Sequence, residues 1–216
     1  MKTIISLCLW SAGLTFFLAA FCILAVSLMI MPRPFTFSLA RQLFSILIRI
    51  MGIRLKVEGR EHLYPDQTYL LMGNHESLFD LFVIPAAIPL IFTGVEAARH
   101  FKIPVWGYLI RKWGCIPIQR RNLEQAQKSL ALAKQTLDSG LSIAILPEGH
   151  RTRTGKMGPF KKGPFHLAKG TAASLVPFGT SGLYEFQQKG GLAVTPGEVT
   201  VRIGRPIPPK EYAHLS

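Results

Sequence analysis

The sequence predicts an α/β domain with a mostly parallel sheet flanked by helices, preceded by an N-terminal membrane-associated helical segment. Three observations carry this. From Ile53 onward, short apolar runs alternate with helical stretches, the pattern of strand–helix–strand units around a parallel core. From Thr3 to Met31 there is no charged residue. Lys and Arg number 25 against 12 Asp and Glu, a net charge of +13, in a chain that is 49% hydrophobic. So basic a chain meets anionic partners, and its apolar character turns the choice toward phospholipid headgroups and away from nucleic acid. At 216 residues it holds one domain plus its N-terminal segment, with the expected boundary between residues 1–52 and 53–216.

The uncharged N-terminal run is too long for the core of a cleaved signal peptide. As one helix it would extend about 44 Å, against about 30 Å of bilayer hydrocarbon. It could cross with tilt or bend near Ser11-Ala12-Gly13 into a re-entrant hairpin. Lys2 stands alone before it, whereas Arg33, Arg41, Arg49, Arg54 and Lys56 follow, a bias that puts the remainder of the chain on the cytoplasmic face, that of the inner membrane in a bacterium. Pro32 and Pro34 end the helix and form a hinge. Next, Phe37, Ala40, Phe44, Leu47, Ile48 and Met51 recur at helical spacing opposite a narrow stripe with Arg41 and Arg49. That face fits either the domain core or a bilayer interface.

Within 53–216, Arg54–Gly59 alternates as a half-exposed strand, and Gln67–Met72 reads as a buried one. A helix starts at Asp80 and is kinked or ended by Pro85 and Pro89. Ala97–Trp113 is helical with a break at Pro104, and Cys115–Ile118 is a short strand that Pro117 confines to an edge or an end. Leu123–Asp138 is a helix stopped by Ser139-Gly140. Leu141–Leu146 and Ser174–Val176 are strands either side of a helix at Gly163–Gly170, and Glu198–Ile203 is a last strand.

The chemistry centres on Gly73-Asn74-His75-Glu76-Ser77-Leu78-Phe79-Asp80. A His at the mouth of a strand with a carboxylate five residues on suits a general base with an orienting partner. On one continuous helix the two would lie about 140° apart, so His75 must sit in the loop and Asp80 in the first helical turn for them to meet. A zinc-protease helix is excluded because Phe79 occupies the place of its second His, and Ser77 lacks the Gly-x-Ser-x-Gly elbow of a nucleophile and reads as a helix cap. The three cysteines, Cys8, Cys22 and Cys115, have no paired spacing and read as free thiols, and no Cys-x-x-Cys or His cluster points to a metal.

Three basic clusters lie at the ends of expected elements, where an α/β sheet places its ligands. Gln119-Arg120-Arg121 follows one strand, Glu148-Gly149-His150-Arg151 another, and Lys161-Lys162-Gly163 precedes a helix N-terminus. Arg suits phosphate because its planar fork makes two bonds at once. The stretch Gly149–Lys156 is not a P-loop: five residues separate its glycines, and Met157 replaces the required Ser or Thr.

Together these motifs resemble the glycerolipid acyltransferase family. The carriers are Asn74, His75 and Asp80 of Asn-His-x-x-x-x-Asp; Gly114, Ile116, Pro117 and Arg120; Glu148, Gly149 and Arg151; Phe160, Lys161 and Gly163; and Val176-Pro177. The resemblance runs from about Ile53 to Pro208, with His150 where family members commonly carry Thr. It implies transfer of a fatty acyl group from acyl-CoA or acyl-acyl-carrier protein to the free hydroxyl of a lysophospholipid. The expected acceptor is 1-acyl-sn-glycerol-3-phosphate, giving phosphatidic acid; a lyso-ornithine lipid and glycerol-3-phosphate are alternatives. His75 would be the base and Asp80 its partner. Arg120 and Arg151 would hold the acceptor phosphate, with Glu148 near the glycerol hydroxyls, Lys161 adding charge and Gly149 a further substrate-binding residue. No metal or prosthetic group is implied, and the partners are acceptor lipid, acyl donor and membrane. Against acyl transfer stand a non-catalytic phospholipid-binding module, which needs no paired base, and a thioesterase, which needs no phosphate-binding arginines.

Overall fold

The structure, a computed structural model, describes residues 2–118 and 123–214. Seven strands form one sheet in the order β1-β7-β6-β2-β5-β3-β4. They are β1 (Ile53–Glu58), β2 (Tyr69–Gly73), β3 (Phe92–Ala97), β4 (Ile116–Ile118), β5 (Ser142–Ile145), β6 (Ser174–Ser181) and β7 (Gly197–Ile203). Strands β2 to β6 run parallel, and β6 meets β7 antiparallel from Phe178 to Ser181, so β7 and its parallel neighbour β1 point the opposite way. Every residue of β2 is buried, as a central strand covered on both faces must be.

The helices are α1 (Lys2–Ile30), α2 (Arg33–Ile50), α3 (Asp80–Ala87), α4 (Trp106–Trp113), α5 (Leu123–Asp138), α6 (Lys162–Thr171), α7 (Leu183–Phe186) and α8 (Pro209–Tyr212). One face of the sheet packs against α2 and α3 in a core that includes Ile48, Met51, Tyr69, Val83, Phe186 and Val201. The other face packs β2, β5 and β4 against α5 and α6 through Leu70, Ile143, Ile116, Ala133 and Leu167. Most elements fall where their patterns place them. The strand β3 does not: Gly94 and Glu96 interrupt its apolar run, and only its neighbours β5 and β4 make it a strand.

The N-terminal segment is a helical hairpin. The helix α1 runs unbroken through Ser11-Ala12-Gly13, so the expected alternative of a bend there is not what forms. Ser6, Gly13, Ala20 and Ser27 recur every seven residues, close to two helical turns, and make a buried seam of small side chains. The seam lets the helices approach closely. Ser27 Oγ lies 2.8 Å from Thr36 Oγ1 near the turn, and a side chain at Gly13 would collide with the Met51 sulfur near the other end. Trp10 donates to the Leu192 carbonyl and packs on Phe79, and Phe17 packs on Phe82. The other side of α1 exposes Leu7, Leu14, Leu18, Ile23, Val26 and Met29.

The face of α2 that could have met either a core or a bilayer is buried in the protein: Ala40, Leu47, Ile48 and Met51 are inaccessible, and Phe44 packs edge-on to Phe82. This core continues through the expected boundary at 52/53. Ile48→Ala should therefore lower the stability of the whole domain by about 2–5 kcal/mol, the usual range for emptying a core position. Chemical unfolding in mild detergent measures it; an unchanged midpoint would mean that α2 does not belong to the domain core.

Candidate active site

The parallel strands β2 to β6 deliver their C-terminal ends to one edge of the sheet, and the chain's reactive side chains follow these ends. His75 leaves β2 in an extended loop, and Asp80 opens α3, where the partial positive charge of the helix N-terminus favours a carboxylate. His75 Nδ1 lies 2.6 Å from Asp80 Oδ2. The same oxygen accepts from the backbone N–H groups of Glu76 and Ser77, at 2.9 and 3.1 Å. With Asp80 as acceptor, Nδ1 carries the proton and Nε2 keeps the lone pair that can take one. The His75 side chain remains 25% exposed and its partner only 3%. The loop-then-helix arrangement expected from the five-residue spacing is the one that forms.

Ser77 is not a cap. Its hydroxyl donates to the Gln187 backbone carbonyl and to Gln187 Oε1, and the residue is fully buried. That removes it as a nucleophile. Cys115 is disfavoured too, because burial pushes its thiol above the ordinary value and so away from thiolate. Among the described residues, no three His, Cys, Asp or Glu side chains converge as a metal site would need.

Glu148 takes a place that its motif did not reveal. Leu146–Gly149 is a turn closed by Gly149 N–H donating to the Leu146 carbonyl at 2.9 Å, with Pro147 second and Gly149 fourth, at a positive φ of 70°. The turn aims Glu148 inward, where it is 1% exposed. Its Oε1 accepts from His75 N–H at 2.8 Å and its Oε2 from Gly158 N–H at 2.7 Å. Both oxygens are thus engaged by backbone, one of them by the N–H of His75 itself. Thr152 N–H donates to the His75 carbonyl at 2.8 Å, so the half-buried Arg151 is the residue next to that clamp. Lys161 is exposed immediately before α6, and its N–H donates to the Pro147 carbonyl at 2.8 Å. The fold therefore brings His75, Asp80, Glu148, Gly149, Arg151 and Lys161 to one edge. Arg120 lies outside the described residues.

Two side chains without an assigned part complete the scaffold. Asn74 exchanges two hydrogen bonds with the Thr180 backbone, at 2.7 and 2.8 Å, and so ties the end of β2 to β6. Glu76 Oε2 accepts from Leu183 and Tyr184 N–H at the start of α7, and its Oε1 accepts from Asn74 at 3.3 Å. Their proximity to His75 in the motif was the available signal, but only the fold shows what they hold. Burial pushes the Glu76 carboxyl up to about 7, against the opposing effect of its two backbone donors. The native state thus keeps this proton to higher pH than the unfolded chain, whose ordinary value is 4.5. The resulting stabilisation is complete below that value and is lost as pH rises through about 7. Glu76→Gln should flatten this part of the stability–pH curve, measured by chemical unfolding across the interval; an unchanged slope would contradict it.

Comparison with known proteins agrees with this architecture. The solved structure of the 1-acyl-sn-glycerophosphate (LPA) acyltransferase of Thermotoga maritima superposes with a TM-score of 0.80, covering 99% of this chain and 89% of its own, at 22% identity, a likeness of fold. The 1-acyl-sn-glycerol-3-phosphate acyltransferase of Cocos nucifera is 30% identical over 84% of this chain and 60% of its own length. The human 1-acyl-sn-glycerol-3-phosphate acyltransferase alpha is 31% identical over 74% and 56%. The chain thus spans somewhat more than half the length of these relatives. Residues 54–181 match the family model described as Acyltransferase. That match takes in more than half of the chain, from β1 to the end of β6, and this chain belongs to the acyltransferase family.

Proposed function

We propose that the protein transfers a fatty acyl group from a thioester, acyl-CoA or acyl-acyl-carrier protein, to the free hydroxyl of 1-acyl-sn-glycerol-3-phosphate, giving phosphatidic acid for phospholipid synthesis. The observation that carries this is the His75–Asp80 dyad at 2.6 Å beside a fully buried, hydrogen-bonded Ser77, a base with no activated nucleophile next to it. The relatives' names supply the acceptor.

In this mechanism His75 Nε2 removes the proton of the acceptor hydroxyl as its oxygen attacks the thioester carbonyl. Asp80 holds the ring and stabilises the imidazolium. The tetrahedral intermediate then collapses, the carbon–sulfur bond breaks, and the leaving thiolate recovers the proton from His75. No acyl-enzyme forms, and the chemistry calls on no metal or prosthetic group. Arg151 and Lys161, with Arg120, hold the acceptor phosphate. The outward face of α1, on a helix long and apolar enough to cross a membrane, sits in lipid, and the acyltransferase domain works at the cytoplasmic face.

Purified protein given oleoyl-CoA and lysophosphatidic acid should form phosphatidic acid, read by lipid mass spectrometry. His75→Ala should lower turnover by about 100- to 10,000-fold. Retained turnover in that variant would overturn the mechanism. Arg151→Ala should raise the Michaelis constant for the acceptor by roughly one to two orders of magnitude, the worth of a charge-assisted bond, and leave that for the thioester nearly unchanged. Equal loss toward acceptors with and without phosphate would show that Arg151 does not bind it.

A further inference from the structure

Just past the C-terminal end of β3, a 3₁₀ turn (Ala98–Lys102) leads into four consecutive exposed residues, Lys102, Ile103, Pro104 and Val105, before α4 begins. Ile103 is 47% exposed and Val105 65%. Val105 has φ 60° and ψ −59°, and Trp106 N–H donates to the Pro104 carbonyl at 2.6 Å, which closes a γ-turn. A β-branched residue at positive φ is strained, and such strain persists only where the surroundings hold it. Here they do. Ile103 N–H donates to the His100 carbonyl, Gly107 N–H to the Ile103 carbonyl at 2.7 Å, and Arg111 Nη1 to the Phe101 carbonyl at 2.7 Å. Any side chain at Gly107 would run into the Phe101 backbone.

Inside the protein this arrangement gains little from the valine, since most of its side chain faces outward. Glycine or asparagine would adopt the same backbone at lower cost. What the turn does achieve is a rigid apolar tip. Cations flank it in sequence: Arg99, Lys102, Arg111 and Lys112 are exposed, and the sequence has no acidic residue between Glu96 and Glu124. Tyr108, 43% exposed, adds an amphipathic ring with the Lys112 amine 5.9 Å from its centre. The helix that follows the tip packs against α1, and its last residue, Trp113, lies 4.2 Å from Phe37 between ring centres.

We propose that the Ile103–Val105 turn is a second membrane-contact site, inserted into the interface of a bilayer containing anionic phospholipid. The apolar tip enters the acyl-chain boundary, Tyr108 sits at headgroup level, and the four cations bind the lipid phosphates. An acidic carrier protein would use the cations but has no need of a strained apolar tip. With α1 as the first contact, the turn provides a second point that orients the catalytic edge of the sheet toward the lipid. The site rests on the membrane reading above, and its test separates the two.

Full-length protein carrying Cys8→Ser, Cys22→Ser and Cys115→Ser takes a fluorophore at Val105→Cys or, as a control on the exposed face of β1, at Arg54→Cys. It is mixed with vesicles of phosphatidylcholine and phosphatidylglycerol. The probe at 105 should be quenched by lipid-borne nitroxide and shielded from aqueous iodide, and the probe at 54 should show the reverse. Protein that does not float with vesicles at all would overturn the membrane reading itself. Protein that floats while both probes stay equally open to iodide would overturn the insertion site alone. In the unlabelled protein, Val105→Asn should raise the unfolding temperature yet lower activity on vesicle-embedded acceptor by about tenfold, the worth of a small buried apolar side chain. Activity on a short-chain soluble acceptor should not change. A loss confined to carrier-bound thioester would assign the tip to the carrier and contradict the proposal.

Discussion

A carboxylate taken out of water must find donors, and around this site the donors are backbone N–H groups of neighbouring loops. Asp80 draws in the N–H groups of Glu76 and Ser77 together with the His75 ring. Glu148 bonds the N–H of His75 and that of Gly158. Glu76 bonds the first two N–H groups of α7. Each acid thus fastens one strand-end loop, to itself or to another, and the loops after β2, β5 and β6 become a single piece. These bonds fix the His75 ring against Asp80, the placement that the proposed general-base role requires to within a fraction of an ångström.

The sheet makes this possible by topology. Parallel strands send their C-terminal ends to the same edge, so residues far apart in sequence, such as His75 and Glu148, lie within one hydrogen bond. In the proposed function the N-terminal hairpin presents that edge to lipid. Its small-residue seam allows α1 to lie along the domain, with α2 as part of the core, while the outward side chains of α1 remain apolar.

Much of this was legible in the residues. The buried character of β2, the loop-then-helix geometry of His75 and Asp80, the Pro32 hinge and the course of α5 follow from local rules that the fold obeys. What was not legible depends on partners distant in sequence. The strand β3 carries Gly94 and Glu96 and shows no two-residue period; its pairing with β5 and β4 makes it a strand. The apolar stripe of α2 has the same pattern whether it faces a bilayer or Phe82, and only tertiary packing decides. Glu148 stands beside Arg151 in sequence, and nothing local shows that the turn at Gly149 sends its carboxylate to the N–H of His75. Strand alternation likewise could not show that Asn74 bridges to Thr180, a residue 106 positions away.

In the proposed mechanism Glu148 acts by holding the His75 peptide, a positioning role that its two backbone hydrogen bonds support. That role is tested most directly by steady-state kinetics of Glu148→Gln, a change that keeps the side chain's shape but cannot accept from both N–H groups, in protein shown to be folded. The account predicts a fall in kcat on the order of 100-fold, as for a catalytic group displaced by about 1 Å, with the acceptor KM nearly unchanged. An acceptor KM that rises steeply at undiminished kcat would contradict it and return Glu148 to the substrate.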